Sequence, residues 1–239
     1  MRLFLFLLIT SLITDLQSQT ITGTYAVTMD FYRDSKEKEE YKLKPLEFTG
    51  HFFLKGKRVI SYLTPEYLVQ YPTGSINFQT QNGGNGVQIR SFELCADSII
   101  GIDYSDGDSL IWRYTRYIGG RDRQSPASFN YEPGFKEWEI LSETKEIDGL
   151  KCQRARNYLQ SGTVEWDVWF WPDIPVERGF SNTFGLPGLL VEGECIAGKA
   201  SYKLLSYKIG EPIPESVFWP ALFNKPFVHR GTIRNKNKM

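Results

Sequence analysis

Short runs of alternating apolar and polar residues, separated by glycine-containing turns, recur along most of the chain. In residues 21–31, for example, Ile21, Tyr25 and Val27 fall on one side of an extended backbone, and threonines fall on the other. Such a period of two is typical of half-buried strands, because successive side chains of a strand point to opposite faces. Helical periodicity is poor, and only residues 65–71 and 214–223 favour short helical turns. The pattern predicts a mainly β protein.

Turn residues between these runs predict antiparallel hairpins. They occur between residues 47–54 and 58–63, 136–146 and 150–159, 150–159 and 163–171, and 189–195 and 199–209. Further strands are predicted at residues 75–80, 87–94, 98–104 and 110–117. Many strands at short spacing favour one large curved antiparallel sheet, a half-barrel or sandwich, with few short helices.

The N-terminus has the pattern of an export signal. Arg2 precedes an apolar stretch over residues 3–13, which is shorter than the ~20 residues that a membrane-spanning helix needs. We therefore predict a signal peptide over residues 1–19 and a single β-rich domain over 20–239, with a polar tail from about residue 229. No cysteine lies near the cleavage site and no second long apolar run follows. The predicted mature protein is periplasmic or secreted, is not a lipoprotein and has no transmembrane segment.

Charge and motifs exclude several functions. The 28 Lys and Arg residues balance 28 Asp and Glu residues, so the chain has no general excess of cations for nucleic-acid binding. The motifs of serine hydrolases, zinc peptidases and thiol oxidoreductases are absent from the sequence. A pair of Cys152 with His51 would need the fold to bring them together. We predict no catalytic residues, no metal and no cofactor, and consider an enzyme the weaker hypothesis.

The strand at residues 163–171 is aromatic on both sides. Trp169 and Trp171 share one face, whereas Trp166 and Phe170 share the other. Either both faces are covered by other parts of the protein, or one face lines an apolar groove. The second alternative makes Trp166, Trp169 and Trp171 candidate binding residues.

A sharp bend is predicted just before the strand at residues 189–195. Gly185 and Gly188 allow backbone conformations that other residues avoid, and Pro187 fixes φ. Phe184 and Leu186 add apolar side chains at this bend. A structural corner is one interpretation and a recognition loop is the other, so Phe184 and Leu186 join the candidate binding residues.

These residues also carry a family resemblance. Residues 184–190, Phe-Gly-Leu-Pro-Gly-Leu-Leu, resemble the signature of the GLPGLI family of exported Bacteroidetes proteins, with Leu190 in place of the final isoleucine. Residues 147–152 and 169–175 resemble the segments that precede this signature in the family. The family is functionally uncharacterised, so the resemblance implies an exported β protein. It also implies similarity in outline to the LolA-like fold, an incomplete barrel that holds apolar ligands.

The chain contains three cysteines: Cys95, Cys152 and Cys195. An exported protein with three cysteines can form at most one internal disulfide. We predict a bond between Cys152 and Cys195, because both lie in the second-half meander. Three buried thiols are the alternative.

Three functions remain open at this point. The preferred hypothesis is an envelope-associated binding or chaperone-like module that holds an apolar small molecule or a partner segment, with an outer-membrane β-barrel protein as one candidate partner. The second is an envelope hydrolase that uses paired carboxylates such as Glu192 and Glu194. The third is a structural interaction protein.

Overall fold

The computed structural model describes residues 19–30, 44–81, 87–94, 99–106, 110–113, 127–129, 136–218 and 228–230. Nearly all of the predicted signal peptide, Cys95 and most of the predicted polar tail lie outside these ranges. The strands are β1 Thr20–Met29, β2 Leu46–Lys55, β3 Arg58–Pro65, β4 Ser75–Gln81, β5 Val87–Glu93, β6 Ile100–Ser105, β7 Leu110–Arg113, β8 Ala127–Phe129, β9 Glu139–Ile147, β10 Leu150–Tyr158, β11 Val164–Trp171, β12 Leu189–Cys195, β13 Ala200–Ile209 and β14 Val228–Arg230.

Ten of these strands form one antiparallel sheet that is not closed. Its order is β7-β6-β3-β2-β1-β13-β12-β11-β10-β9, so β7 and β9 are its edges. Two small sheets pair β4 with β5 and β8 with β14. Within the described ranges, helix is limited to one turn of α1, Tyr67–Gln70, and two 3-10 segments, Phe180–Asn182 and Glu215–Phe218. The predicted mainly β fold with a large antiparallel sheet is confirmed.

The hairpin turns follow the predicted chemistry. Asp148 and Gly149, between β9 and β10, both have positive φ, at 49° and 83°. This is the backbone that a two-residue turn needs to match the twist of its strands, and Asp-Gly suits it. Gly56 and Gly162 also have positive φ in their turns.

One face of the large sheet, which we call the buried face, carries the main core. Residues 172–188, the cover loop, pack over this face between β11 and β12. The Phe180 ring stacks on Tyr25 of β1 with the ring centroids 4.2 Å apart. Gly50 of β2 makes room for it, because a Cβ there would lie 2.4 Å from Phe180 Cζ. The cover loop is therefore part of the core.

A second, smaller core lies on the opposite face of β3 and β6. It contains Ile60, Ile102 and Tyr104, and the segment after β13 covers it with Ile213 and Phe218. No helix in the described part of the chain is long and apolar enough to cross a membrane.

Candidate functional site

Three of the candidate binding residues are core residues. Trp166, Phe184 and Leu186 are 4%, 2% and 0% exposed. The Phe184 carbonyl accepts hydrogen bonds from the Trp138 indole and from the Lys136 backbone. Their burial favours the structural interpretation of the bend and leaves them no accessible surface for a ligand.

The two signature glycines have different roles. Gly185 has φ +83°, as its predicted conformational freedom requires. Gly188 does not have a positive φ, and its predicted role was wrong. A Cβ on Gly188 would lie 2.4 Å from the Trp171 carbonyl oxygen and 2.6 Å from Phe170 Cδ2, so glycine is required there for space. Pro187 is exposed between them.

Trp169 lies on the second face, the side of β11 opposite the buried face, and is partly buried. Lys145 Nζ stands 4.5 Å from the centre of its ring, and Arg154 Cζ stands 5.8 Å from it. The same Lys145 pairs with Glu192 at 3.0 Å. Cations thus already engage the Trp169 ring through cation–π contacts, which makes it a poor candidate for a free stacking surface.

Asp167 organises the neighbouring charges. Both of its oxygens accept hydrogen bonds from Arg154 at 2.7 Å, and Arg156 adds a third at 2.9 Å. Hydrogen bonds from Arg154 and then Arg156 lower the pKa of this carboxyl against the opposing effect of burial. These contacts join β10 to β11, so the cluster is a bracing network between strands.

Glu192 and Glu194 both lie on the second face, opposite Trp169 and Asp167 of β11. Glu194 is exposed. The Glu192 side chain is 40% exposed and is paired with Lys145. Acid–base hydrolysis requires carboxyl groups that converge on a shielded substrate. This geometry does not favour the hydrolase alternative.

The predicted disulfide is absent, since Cys152 and Cys195 are free, buried thiols. β11 lies between their strands. Cys195 pairs with Trp166 on the buried face, whereas Cys152 pairs with Lys145 on the second face. Two strand spacings separate them by roughly 10 Å, beyond the ~7 Å between Cα atoms that a disulfide spans.

His51 and Cys152 are also far apart in the sheet, on β2 and β10. The His51 Nε2 atom is 3.1 Å from Thr64 Oγ1 instead. Among the described residues, no group of three or more His, Cys, Asp or Glu side chains is arranged to hold a metal ion.

The sheet opens between β12 and β13. The two strands pair only from Glu192 with Lys203 to Cys195 with Ala200. From Leu204 to Ile209, β13 still pairs with β1, but no described strand lies on its other side. We call this unpaired side of residues 204–209 the β13 opening.

On the β12 side of the opening, a tyrosine side chain supplies the hydrogen bond that a backbone N–H of β13 does not. The Tyr25 hydroxyl donates a 3.0 Å hydrogen bond to the Leu190 carbonyl. Burial raises the pKa of Tyr25 further above its usual value. The Leu190 carbonyl therefore has a hydrogen-bond donor where β12 no longer pairs with β13.

Apolar side chains cluster along the opening. Leu205, Tyr207 and Ile209 are 59%, 37% and 47% exposed. The Tyr207 ring meets Trp171 edge-on, with centroids 5.4 Å apart. Trp171 Nε1 is buried and has no hydrogen-bond acceptor within the described ranges. Of the candidate binding residues, Trp171 is the one that borders this surface.

One feature of the sequence, a break in the alternation of β13, indicates the irregularity at this surface. Leu204 and Leu205 are adjacent, which breaks the alternation, and a bulge lies there opposite Thr24 and Tyr25 of β1. A bulge changes the direction of a strand and its side chains. After the bulge, Tyr207 and Ile209 pair with Gly23 and Ile21 of β1. They are exposed, like Leu205, where no described strand pairs with the other side of β13.

A polar group lies under the cover loop. Ser181 has φ 53° and ψ 44°, a conformation that is uncommon for a residue other than glycine. Its N–H donates to Ser61 Oγ at 3.4 Å and its hydroxyl donates to Tyr202 at 3.2 Å. Asp103, paired with Ser61 in the sheet, has its pKa raised to about 7 by burial.

Comparison with known proteins gives distant matches of structure only. No family model matches the chain, and no curated protein matches it. It is similar to PNGF-II in the C2 space group, with 14% identity and a TM-score of 0.45 over 90% of this chain and 31% of that chain. It is also similar to PNGF-II in the P21 space group, with 14% identity and a TM-score of 0.45 over 89% of this chain and 32% of that chain. This chain spans about a third of the length of those chains.

Proposed function

We propose that the protein is an exported, non-enzymatic binding module of the GLPGLI type, which holds an apolar ligand or partner segment at the β13 opening. The observation that carries this proposal is the cluster of Leu205, Tyr207 and Ile209 beside Trp171, all partly or largely accessible on one strand segment. Exposed apolar residues grouped in this way are typical of interaction sites.

Export and family membership rest on the sequence. The apolar N-terminal stretch supports cleavage near residue 19 and a periplasmic or secreted location. Cell fractionation of the full chain, with N-terminal sequencing of the mature protein, tests this part. An uncleaved chain in the cytoplasm contradicts it.

An apolar small molecule and an outer-membrane β-barrel protein are the candidate partners. A fluorescent apolar probe, 1-anilinonaphthalene-8-sulfonate, tests the surface directly. We expect its emission to rise with the folded protein and the effect to fall at least threefold in Ile209→Ser. Native mass spectrometry of the purified protein tests for a retained small molecule.

Ile196→Ser is the matched control, because Ile196 and Ile209 are both 47% exposed but Ile196 lies in the β12–β13 turn. Equal probe binding by the two variants, or no binding by the native protein, contradicts the proposal. The structural interaction protein differs from this proposal only in binding a permanent partner, which co-purification from envelope extracts detects.

A further inference from the structure

We propose that the side chains of Asn157 and Trp166 bind one buried water molecule between β10 and β11. Trp166 lies near the start of β11 and Trp171 at its end, so this site is separate from the β13 opening. It does not depend on the proposed binding function.

Two unsatisfied polar atoms mark the site. Asn157 Oδ1 and Trp166 Nε1 are buried, and neither has a hydrogen-bond partner in the described parts of the chain. The two residues are only 5% and 4% exposed, so bulk solvent scarcely reaches them. A buried polar group in a folded protein nearly always has a partner, either in the protein or in ordered water.

The register of the sheet places the two residues side by side. Asn157 of β10 is the direct partner of Trp166 of β11, and both side chains lie on the buried face. Residues directly opposite in an antiparallel pair have Cβ atoms roughly 4.5–5.5 Å apart. One water with two hydrogen bonds of ~2.9 Å joins atoms that are roughly 5 Å apart. A single molecule can therefore serve both side chains.

Neighbouring contacts hold both side chains in place. Asn157 Nδ2 donates to the Glu137 carbonyl at 2.8 Å, which fixes the amide and directs Oδ1 elsewhere. The Trp166 ring stacks on Tyr202 with the centroids 5.4 Å apart, and Lys136 Nζ lies 5.8 Å from its centre. Neither side chain can turn toward the other without losing these contacts, so the bond between them needs a third molecule.

The two atoms define the chemistry of the ligand. Trp166 Nε1 only donates a hydrogen bond, and Asn157 Oδ1 only accepts one. An anion would satisfy the indole alone, and a cation would satisfy the amide oxygen alone. Water offers a lone pair to the indole and a proton to the amide oxygen. Lys136, the cation over the Trp166 ring, is already paired with Glu165 at 2.7 Å and needs no bound anion.

The site lies where three parts of the chain meet. The segment before β9 bonds to β10, because the Glu137 carbonyl accepts from Asn157. It also bonds to the cover loop, because the Trp138 indole donates to the Phe184 carbonyl. A water on Asn157 and Trp166 adds β11 to this junction. The bound water is therefore part of the core.

A crystal structure of the protein, at a resolution that shows ordered water, tests the site directly. We expect one water within about 2.7–3.2 Å of both Asn157 Oδ1 and Trp166 Nε1. A direct hydrogen bond between the two side chains overturns the inference. A protein group at the expected position of the water, or no water there, overturns it as well.

Solution NMR gives a second test, with Trp138 as the matched control because its indole donates to the Phe184 carbonyl. In protein with isotope-labelled tryptophan, the Trp166 indole proton should show a nuclear Overhauser effect to water of the sign that marks a long-lived bound molecule. The Trp138 indole proton should show none. Equal effects at both indoles of the native protein contradict the inference.

Asn157→Leu removes the amide oxygen and should abolish the water signal at Trp166 in the folded variant. A Trp166 signal that Asn157→Leu leaves unchanged contradicts a water shared by the two side chains. The comparison of the two indoles in the native protein needs no variant, so the inference can be tested even if Asn157→Leu does not fold.

Discussion

Tyr25 of β1 hydrogen bonds to Leu190 of β12, although β13 lies between these two strands in the sheet. The bond is 3.0 Å long and both groups are buried. It satisfies the Leu190 carbonyl where β12 has separated from β13. One phenol therefore stabilises the place at which the sheet opens.

Tyr25→Phe is expected to lower the free energy of unfolding by about 1–3 kcal/mol, because it leaves the Leu190 carbonyl buried without a donor. Urea denaturation followed by tryptophan fluorescence measures this. Tyr62→Phe is the control, since half-buried Tyr62 contacts His51 and Phe53 through its ring. The role assigned to Tyr25 is wrong if both variants lose the same stability.

Gly188→Ala and Gly185→Ala should differ in severity. At Gly188 the new Cβ would overlap the backbone of Trp171, which is held within the sheet. We expect the free energy of unfolding to fall by about 3 kcal/mol or more. At Gly185 the penalty is that of a positive φ, about 1 kcal/mol. Thermal unfolding of the two variants checks this order. If the Gly188→Ala protein is as stable as the Gly185→Ala protein, the close contact between Gly188 and the Trp171 backbone is contradicted.

Because Asp103 is buried, we expect the stability of the protein to depend on pH. Burial raises its folded pKa to about 7 from a value near 4 in the unfolded chain. The contribution of Asp103 to the free energy of unfolding is fully present below pH 4, where the carboxyl is protonated in both states. It is lost as the pH rises through 7, because the folded state must then hold a buried charge. Asp103→Asn should therefore increase stability at pH 8 by about 1–3 kcal/mol, with a much smaller gain at pH 4.

Chemical denaturation of the native and Asp103→Asn proteins across pH 4–8 measures this difference. Asp106, which is exposed and follows directly after β6, supplies the control Asp106→Asn. A constant difference between native protein and Asp103→Asn over this range contradicts the raised pKa.

The cysteines give a simple chemical prediction. Cys152 and Cys195 lie on opposite faces, so both should be alkylated after denaturation without a reductant. Peptide mass mapping identifies the modified thiols. Burial raises the pKa of Cys152 to about 11, which predicts slow alkylation in the folded state. A cross-linked peptide containing both residues contradicts this arrangement.

Local sequence patterns predicted the strands well because period-two alternation and turn chemistry are local signals. The predicted hairpin at Asp148-Gly149 depends only on its own backbone, and both residues have positive φ in the structure. The same holds for the alternation of Trp166, Val168 and Phe170 on one face of β11. Such features depend on neighbours in sequence.

Features that depend on distant residues were not predictable in the same way. Whether Trp169 is free depends on Lys145 and Glu192, which reach it from other strands. The cysteine pairing was wrong because sequence distance does not report the face on which each residue lies. The β13 opening requires the relative paths of two strands, and the sequence reveals only its bulge.

The strand order has a consequence for how the chain folds. β1 and β13 are neighbours at the centre of the sheet, and Thr28 meets Ser201 across 173 residues of sequence. On one side, β1, β2, β3, β6 and β7 pair in chain order, and on the other β9 to β13 do so. Each half can form from local hairpins, but their union must close a very long loop, which slows folding. Until β13 joins β1, each half presents an unprotected central strand, so the newly made chain is most prone to aggregate just before its last long strand docks.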